Sequence, residues 1–245
     1  MMQDTQGYFF SEAEIQKALD FQPEHVIIGL CGPSGVGKDT AGVMLGQKLN
    51  FWHEDAMVPA NMIGEGYAIS FARTLKSMCA GFSCEDMTAV WETHALEITN
   101  YSDPAVKNQP AFFGRTRKEF AQFVGTDLFR KFVHPNIWVA CLANQIKIIS
   151  DDVPKPVFII TDVRFQNEVD WILSKGGIIL NIHRDVPTRG IPGHISDSGI
   201  QGIIFNNDNP EATYEIDNNG TLAELDDQLK YIVGVLKERG FKPYL

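Results

Sequence analysis

Hydrophobic positions along the chain fall into two alternating patterns. Short β-branched runs are bounded by turn residues, and longer stretches return an apolar residue every third or fourth position. The first pattern predicts buried strands and the second amphipathic helices. Strands are expected at 25–31 (HVIIGLC), 67–71, 157–161 (VFIIT), 178–183 and 214–217. Helices are expected from Ser11 to about Phe21, Lys38 to about Leu49, Thr74 to about Gly81, onward from Thr116, Asn136 to Ile149, after Phe165, and onward from Thr221. Three of them open on capping boxes, Ser11 with Glu14, Thr116 with Glu119 and Thr221 with Glu224, in which a hydroxyl and a carboxylate satisfy backbone N–H groups at the helix start. Phe120, Phe123 and Val124 mark one face of the helix after Thr116, and Leu222, Leu225, Leu229 and Leu236 mark the inward face of the last helix. Strands alternating with helices predict an α/β fold, a three-layer αβα sandwich around a mostly parallel sheet.

Two stretches escape both patterns. Residues 100–114, with Pro104 and Pro110, read as a loop or insertion, and residues 184–210, rich in Gly and Pro, read as a lid. The expected organisation is one domain over 1–245, with an insertion at about 72–135 and the lid at about 184–210.

Charge narrows the function classes. With 31 Asp+Glu against 21 Lys+Arg the net charge is −10, which opposes coating a nucleic acid. The longest apolar run, Ile137 to Ala143, falls far short of the roughly 18 residues needed to cross a bilayer. The opening MMQDTQGYFF lacks the basic and apolar regions of a secretory signal, so a cytoplasmic protein is expected. Cys31, Cys79, Cys84 and Cys141 form no C-x-x-C pair and read as reduced thiols rather than a zinc site or disulfide framework. No apolar stripe beyond those the core requires is visible, which leaves a homodimer open.

Candidate chemistry concentrates in Gly32-Pro33-Ser34-Gly35-Val36-Gly37-Lys38-Asp39-Thr40, set between a predicted strand and a predicted helix. This is a phosphate-binding loop: glycines let successive N–H groups converge, the helix start adds positive potential, and Lys38 reaches the β- and γ-phosphates. The strict pattern places Ser or Thr directly after the lysine as a magnesium ligand, whereas here Asp39 stands there and Thr40 follows. Asp39 either meets Mg2+ through water or complements the helix dipole. A displaced hydroxyl resembles the nucleoside monophosphate kinase branch of P-loop proteins more than GTPases or motor ATPases. A second cluster is Thr161-Asp162-Val163-Arg164 at the end of a predicted strand. Ligands of parallel sheets bind beyond the carboxyl ends of strands, so Asp162 could hold magnesium or a substrate hydroxyl and Arg164 could clamp phosphates, or Asp162 could simply cap the next helix.

The GKDT loop, the stretch Thr116-Arg117-Lys118-Glu119 through Gln122 to Gly125-Thr126-Asp127 and Arg130, the TDVRFQNE segment and His194-Ile195-Ser196-Asp197 together resemble the deoxynucleoside monophosphate kinases of tailed bacteriophages, over roughly His25 to Leu236. The resemblance implies a P-loop kinase that uses ATP and Mg2+ to phosphorylate a deoxynucleoside 5′-monophosphate (dNMP) to the diphosphate, for phage DNA precursor synthesis. It implies donor binding by the loop from Gly32 through Lys38 to Thr40, with Asp39 and Thr40 toward the metal. On the acceptor side it implies Arg117, Lys118, Gln122 and Arg130, with Asp162 and Arg164, in the insertion and at the strand end. Arg73 stands where the family begins its acceptor-binding helix; alternatively it is a solvated helix-end cation. Arg184 and Arg189 flank the lid and could neutralise charge on the transferring phosphoryl group. Trp138 could stack on a base or belong to the core, and His194 is left out of the chemistry. Phe113, Phe120 and Phe165 are candidates for excluding a ribose 2′-hydroxyl. The catalytic set is then Lys38, Asp162, Arg164 and Arg130. Two other readings stay open: another small-molecule P-loop kinase, acting on a nucleoside or on dephospho-coenzyme A, and a nucleotide-dependent switch ATPase.

Overall fold

The computed structural model describes residues 8–20, 26–49, 66–83, 103, 105–110, 114–152, 157–185 and 212–240. Five strands, β1 (Val26–Cys31), β2 (Gly66–Ile69), β3 (Val157–Val163), β4 (Ile178–His183) and β5 (Thr213–Asp217), form one sheet in the order β2-β3-β1-β4-β5. Every neighbouring pair is parallel. The helices are α1 (Glu12–Leu19), α2 (Lys38–Lys48), α3 (Ala72–Ser83), α4 (Arg117–Gln122), a π-helix (Phe123–Val133), α5 (Ile137–Asp152), α6 (Gln166–Ser174) and α7 (Leu222–Glu238). This is the expected α/β sandwich of the P-loop NTPase type.

The chain divides into two compact units, residues 1–20 with 71–143, and residues 21–70 with 144–245. The second unit carries the sheet. Its β1 is apolar on both faces because helices cover both, as parallel sheets require. Ile28 and Leu30 join Ala41 and Leu45 of α2 and Leu225, Leu229 and Ile232 of α7 in one buried cluster. On the other face, Gly29 lies so close to Ile172 of α6 and Ile179 of β4 that an added Cβ would sit 2.7 Å from each side chain. Small size at Gly29 therefore sets how near α6 comes to the sheet. The capping box of α7 forms as predicted, with the Glu224 N–H donating to Thr221 Oγ1 and the Thr221 N–H to the Glu224 carboxylate. Leu222, expected to face inward, is instead 64% exposed, because it opens the helix one turn short of the buried stripe that begins at Leu225.

In the first unit both remaining capping boxes form, Ser11 with Glu14 and Thr116 with Glu119. The segment before α1 is tied down by the Phe9 and Phe10 N–H groups, which donate to the Val133 carbonyl. His134 is buried; its Nδ1 accepts from the Asn136 N–H at 3.0 Å, which leaves Nε2 to carry the proton donated to Glu12 at 2.9 Å. The helix after Thr116 departs from expectation. From Phe123 it widens to π geometry; Phe123 itself is 53% exposed while Val124 is buried, so the buried face runs through Val124 and not through Phe123. Gly125 of this π-helix meets α3 closely, since a Cβ there would fall 2.6 Å from Leu75.

Strand and helix ends also shift. β2 stops at Ile69 and α3 begins at Ala72, so Arg73 belongs to the first turn of the helix and is exposed. β3 continues to Val163, which places Asp162 within the strand's last residues. Of the loop at 100–114, residues 105–108 turn on the Asp103 carbonyl, which accepts from the Lys107 N–H at 2.9 Å. Of the lid expected at about 184–210, all beyond Asp185, including Arg189 and His194, lies outside the described residues, as do Cys84 and Phe113. Cys31, Cys79 and Cys141 are free thiols, and burial pushes Cys31 and Cys79 up to about 12, so neither is a thiolate at neutral pH. No described helix is long and apolar enough to cross a membrane.

Candidate functional site

Between β1 and α2 the chain makes a tight turn that only glycine permits at three points. Gly32, Gly35 and Gly37 have φ of +142°, +93° and +99°. Close approach adds to the need at two of them. A Cβ on Gly32 would lie 2.2 Å from the Ile182 carbonyl oxygen of β4, and one on Gly37 would lie 2.3 Å from Nδ2 of Asn218. Gly42 then lets α2 settle on the sheet, where a Cβ would already touch Thr161 of β3 at 3.0 Å. Among the described residues nothing accepts from the N–H groups of Gly37, Lys38, Asp39 and Thr40. Four donors at the start of a helix form a nest for an anion.

Lys38 is folded back into this loop. Its Nζ donates to the Gly32 carbonyl at 2.7 Å and the Pro33 carbonyl at 2.8 Å, and the residue is 9% exposed. Burial, and then repulsion from Arg164, bring its ammonium down to about 8, while Asp39, Asp162 and Cys31 oppose the shift. The same interactions gather Lys38, Asp39, Asp162 and Arg164 around one place at the carboxyl ends of the strands. The cation beside Lys38 makes the nest repulsive to a further positive charge and favourable for a polyanion.

Arg164 is held by a residue the sequence reading passed over. Glu168 is 1% exposed, and its Oε2 accepts from the backbone N–H groups of Arg164 at 2.7 Å and Phe165 at 3.1 Å. The carboxylate starts α6 and fixes the backbone from which Arg164 projects. A second overlooked residue is Asn218, just after β5, whose Nδ2 donates to the Val36 carbonyl at 2.6 Å. Its signal was available: the strand-end rule that singled out Asp162 applies equally to the residue after strand 214–217. Asp39 and Thr40 lie exposed on the first turn of α2, and Arg184 is exposed directly after β4.

The other predicted residues belong to the first unit. Arg117 and Lys118 occupy the first turn of α4, and Lys118 shares a helix face with Gln122 four positions on, whereas Arg117 does not. Arg130 lies in the π-helix, with one guanidinium nitrogen donating to the Pro135 carbonyl at 3.0 Å. Arg117, Lys118, Gln122 and Arg130 are all half-buried. Trp138 is a core residue: it is 3% exposed, packs on Phe129 with ring centroids 5.3 Å apart, and donates its indole N–H to the Gly125 carbonyl at 2.9 Å. With its face covered and its N–H satisfied it has no surface left for a base.

Comparison with known proteins bears on the strand-end and first-unit residues of this arrangement. The family model for deoxynucleotide monophosphate kinase matches residues 67–229, which begins beyond the glycine-rich loop. A protein of Acanthamoeba polyphaga mimivirus named "Putative deoxynucleotide monophosphate kinase" is 30% identical over 179 residues, covering 70% of this chain and 77% of its own length. The chain therefore belongs to the deoxynucleotide monophosphate kinase family and is a phosphotransferase acting on deoxynucleotide monophosphates.

Proposed function

We propose that the phosphoryl donor is ATP with Mg2+, that the γ-phosphoryl passes directly to a deoxynucleoside 5′-monophosphate to give the diphosphate, and that the enzyme serves phage DNA precursor synthesis in the host cytoplasm. The observation that carries the donor assignment is the nest of N–H groups at Gly37 to Thr40, which have no acceptor among the described residues, closed by the buried Lys38. In the transfer, an oxygen of the acceptor phosphate forms a bond to the γ-phosphorus as the bond to the β-γ bridging oxygen breaks, and ADP leaves. Such a transition state needs positioning and charge neutralisation rather than a protein nucleophile. Lys38 and the loop amides hold the donor phosphates, Arg164 neutralises charge between donor and acceptor, and Asp162 accepts from a substrate hydroxyl or would help hold the metal. Arg73, Arg117, Lys118, Gln122 and Arg130 bind the acceptor, with Lys118 favoured over Arg117 because it shares a face with Gln122. Arg184 contacts the donor from the root of the lid.

Mg2+ suits the donor set. No group of three or more His, Cys, Asp or Glu among the described residues forms a protein cage, and magnesium in nucleotide sites takes one or two protein oxygens and completes its shell with phosphates and water. Thr40 and Asp39 on the first turn of α2 supply such oxygens. The metal would neutralise charge on the donor phosphates.

The test is a transfer assay with purified protein, Mg-ATP and each of the common dNMPs, modified pyrimidine dNMPs and the matching ribonucleotides, with diphosphates resolved by chromatography. The reading expects one dNDP per ATP consumed. Free phosphate without dNDP would support the switch ATPase instead, and phosphorylation of nucleosides or dephospho-coenzyme A the other kinases. The family match favours the monophosphate.

The lowered Lys38 ammonium makes a separate prediction. In the free protein it titrates at about 8, and a bound polyanion raises it. ATP binding at pH 8.5 to 9 should therefore take up protons, whereas at pH 6 to 7 Lys38 is already charged and contributes none. Isothermal titration calorimetry in buffers of different ionisation enthalpy reads this directly. Zero uptake or net release at pH 8.5 would remove Lys38 from contact with the donor phosphates.

A further inference from the structure

The curvature of the phosphate loop is usually ascribed to its own glycines, but here a residue 182 positions away closes it. Asn218 is 8% exposed, and its Nδ2 donates to the Val36 carbonyl at 2.6 Å. Gly37 lies so close beneath it that a Cβ would fall 2.3 Å from the same nitrogen. Because a trans peptide directs its C=O and N–H to opposite sides, holding the Val36 carbonyl toward Asn218 turns the Gly37 N–H the other way. That N–H is the first of the four donors that have no acceptor among the described residues. One side-chain amide thus sets the direction of the peptide that opens the nest.

The base of this tether is stiff. The Asn218 N–H donates to the His183 carbonyl at 2.9 Å, one step beyond the last rung between β4 and β5. Asp217 Oδ1 accepts from the Asn219 N–H at 2.9 Å and from Asn219 Nδ2 at 2.8 Å. Gln228 of α7 brackets Asp217, accepting from its N–H at 2.9 Å and donating to its carbonyl at 2.7 Å. Asn219 Oδ1 also accepts from the Asp185 N–H at 2.7 Å, so the same turn anchors the chain just after Arg184. A hydrogen bond from a fixed turn to a glycine-rich loop restricts the loop and not the turn.

We infer that Asn218 is a positioning residue for phosphoryl transfer, holding the Val36–Gly37 peptide so that the Gly37 N–H faces the donor phosphates before they arrive. The inference rests on the donor reading given above. Without the tether the peptide is free to rotate, the loop populates orientations that cannot bind, and apparent affinity falls in proportion to the competent fraction. Removal of a donor that leaves a buried carbonyl unsatisfied implies on the order of tenfold weaker ATP binding.

The experiment compares Asn218→Asp, which keeps the shape and loses the donor, and Asn218→Ser with wild type, by equilibrium ATP binding, transfer kinetics and thermal melting. The expected result is about tenfold weaker ATP binding or a higher ATP KM in folded protein, with the dNMP KM within twofold of wild type. A lower melting temperature with ATP binding unchanged would mean that Asn218 only stabilises the fold, and would overturn the inference. An equal rise in both KM values would do the same. If neither variant folds, the wild-type protein decides: slow exchange of the Asn218 side-chain amide protons by NMR, retained when ATP binds, supports the tether, and fast exchange in the ATP complex overturns it. Wild-type protein that neither binds ATP nor makes dNDP would sink the donor reading itself, a failure separate from variants that match an active wild type.

Discussion

Replacing Lys38 with methionine should abolish phosphoryl transfer while leaving the protein at least as stable as wild type. The loss follows from the position of Nζ in the phosphate loop, bonded to the Gly32 and Pro33 carbonyls and surrounded by Asp39, Asp162 and Arg164. A preorganised charge at the transferring group contributes about 100- to 1,000-fold in rate, so kcat/KM should fall by at least that much. The stability arises from the opposite side of the same geometry. An ammonium lowered from 10.5 to about 8 binds its proton less tightly in the folded chain than in the unfolded one, so at neutral pH its charge works against folding. Methionine fills similar space without the charge and gives up only two bonds to loop carbonyls. The sign of the pH dependence also follows. Between pH 8 and 10.5 the unfolded chain holds more protons than the folded one, so wild type gains stability relative to the variant as pH rises through that window. Denaturant melts of both proteins at pH 7 and pH 10 check this, with the variant's advantage expected to shrink at the higher pH. A variant that turns over at near wild-type rate, or that is markedly less stable at pH 7, would show that Lys38 serves the fold.

Much of this was readable from spacing because the physics is local. Capping boxes need only a hydroxyl and a carboxylate three residues apart, and all three predicted ones form. Strand runs such as VIIGLC are apolar at both parities because both faces are covered, which gives a parallel sheet before any contact is known. The glycine-lysine loop was legible for the same reason: its chemistry lies within nine consecutive residues.

What escaped depends on partners far away in sequence or on geometry that periodicity does not encode. The π-helix over 123–133 uses residues that suit an α-helix, so periodicity did not announce it, and the apolar spacing placed inward a Phe123 that is exposed. The strand-end rule marks Asn218 but not its partner, and only the sheet order, with β4 between β1 and β5, brings it to Val36. Glu168 was equally silent, since a glutamate in a first helical turn has a common dipole explanation. Trp138 illustrates the reverse: a residue type that suits base stacking is already committed to Gly125 and Phe129.

Gly32→Ala should be the most damaging alanine substitution among the described glycines, affecting stability and nucleotide binding together. Two independent effects coincide there. The φ of +142° is unfavourable for any residue with a Cβ, by about 1–3 kcal/mol. The added carbon would also lie 2.2 Å from the Ile182 carbonyl oxygen and 2.9 Å from Val36 Cγ2. The Val36 side chain can turn away, but the Ile182 carbonyl belongs to β4, which is paired on both sides by β1 and β5 and cannot retreat without breaking the sheet. The loop must move instead, and overpacking of this kind adds roughly another 1–3 kcal/mol. Moving Gly32 displaces a carbonyl to which Lys38 is bonded, so the lysine loses its anchor as the nest opens. The expected outcome is a fall in unfolding free energy of about 3 kcal/mol or more, with ATP binding lost even at temperatures where the variant is folded. The comparison is Gly234→Ala, on α7, where an added Cβ meets nothing within 4 Å and the helix should tolerate or gain from the change. Melting temperatures and equilibrium ATP binding for the pair would separate them. A Gly32→Ala protein that melts with wild type and binds ATP would show that the loop has another way to leave β1, and the packing of Gly32 beneath β4 would lose its role in shaping the phosphate site.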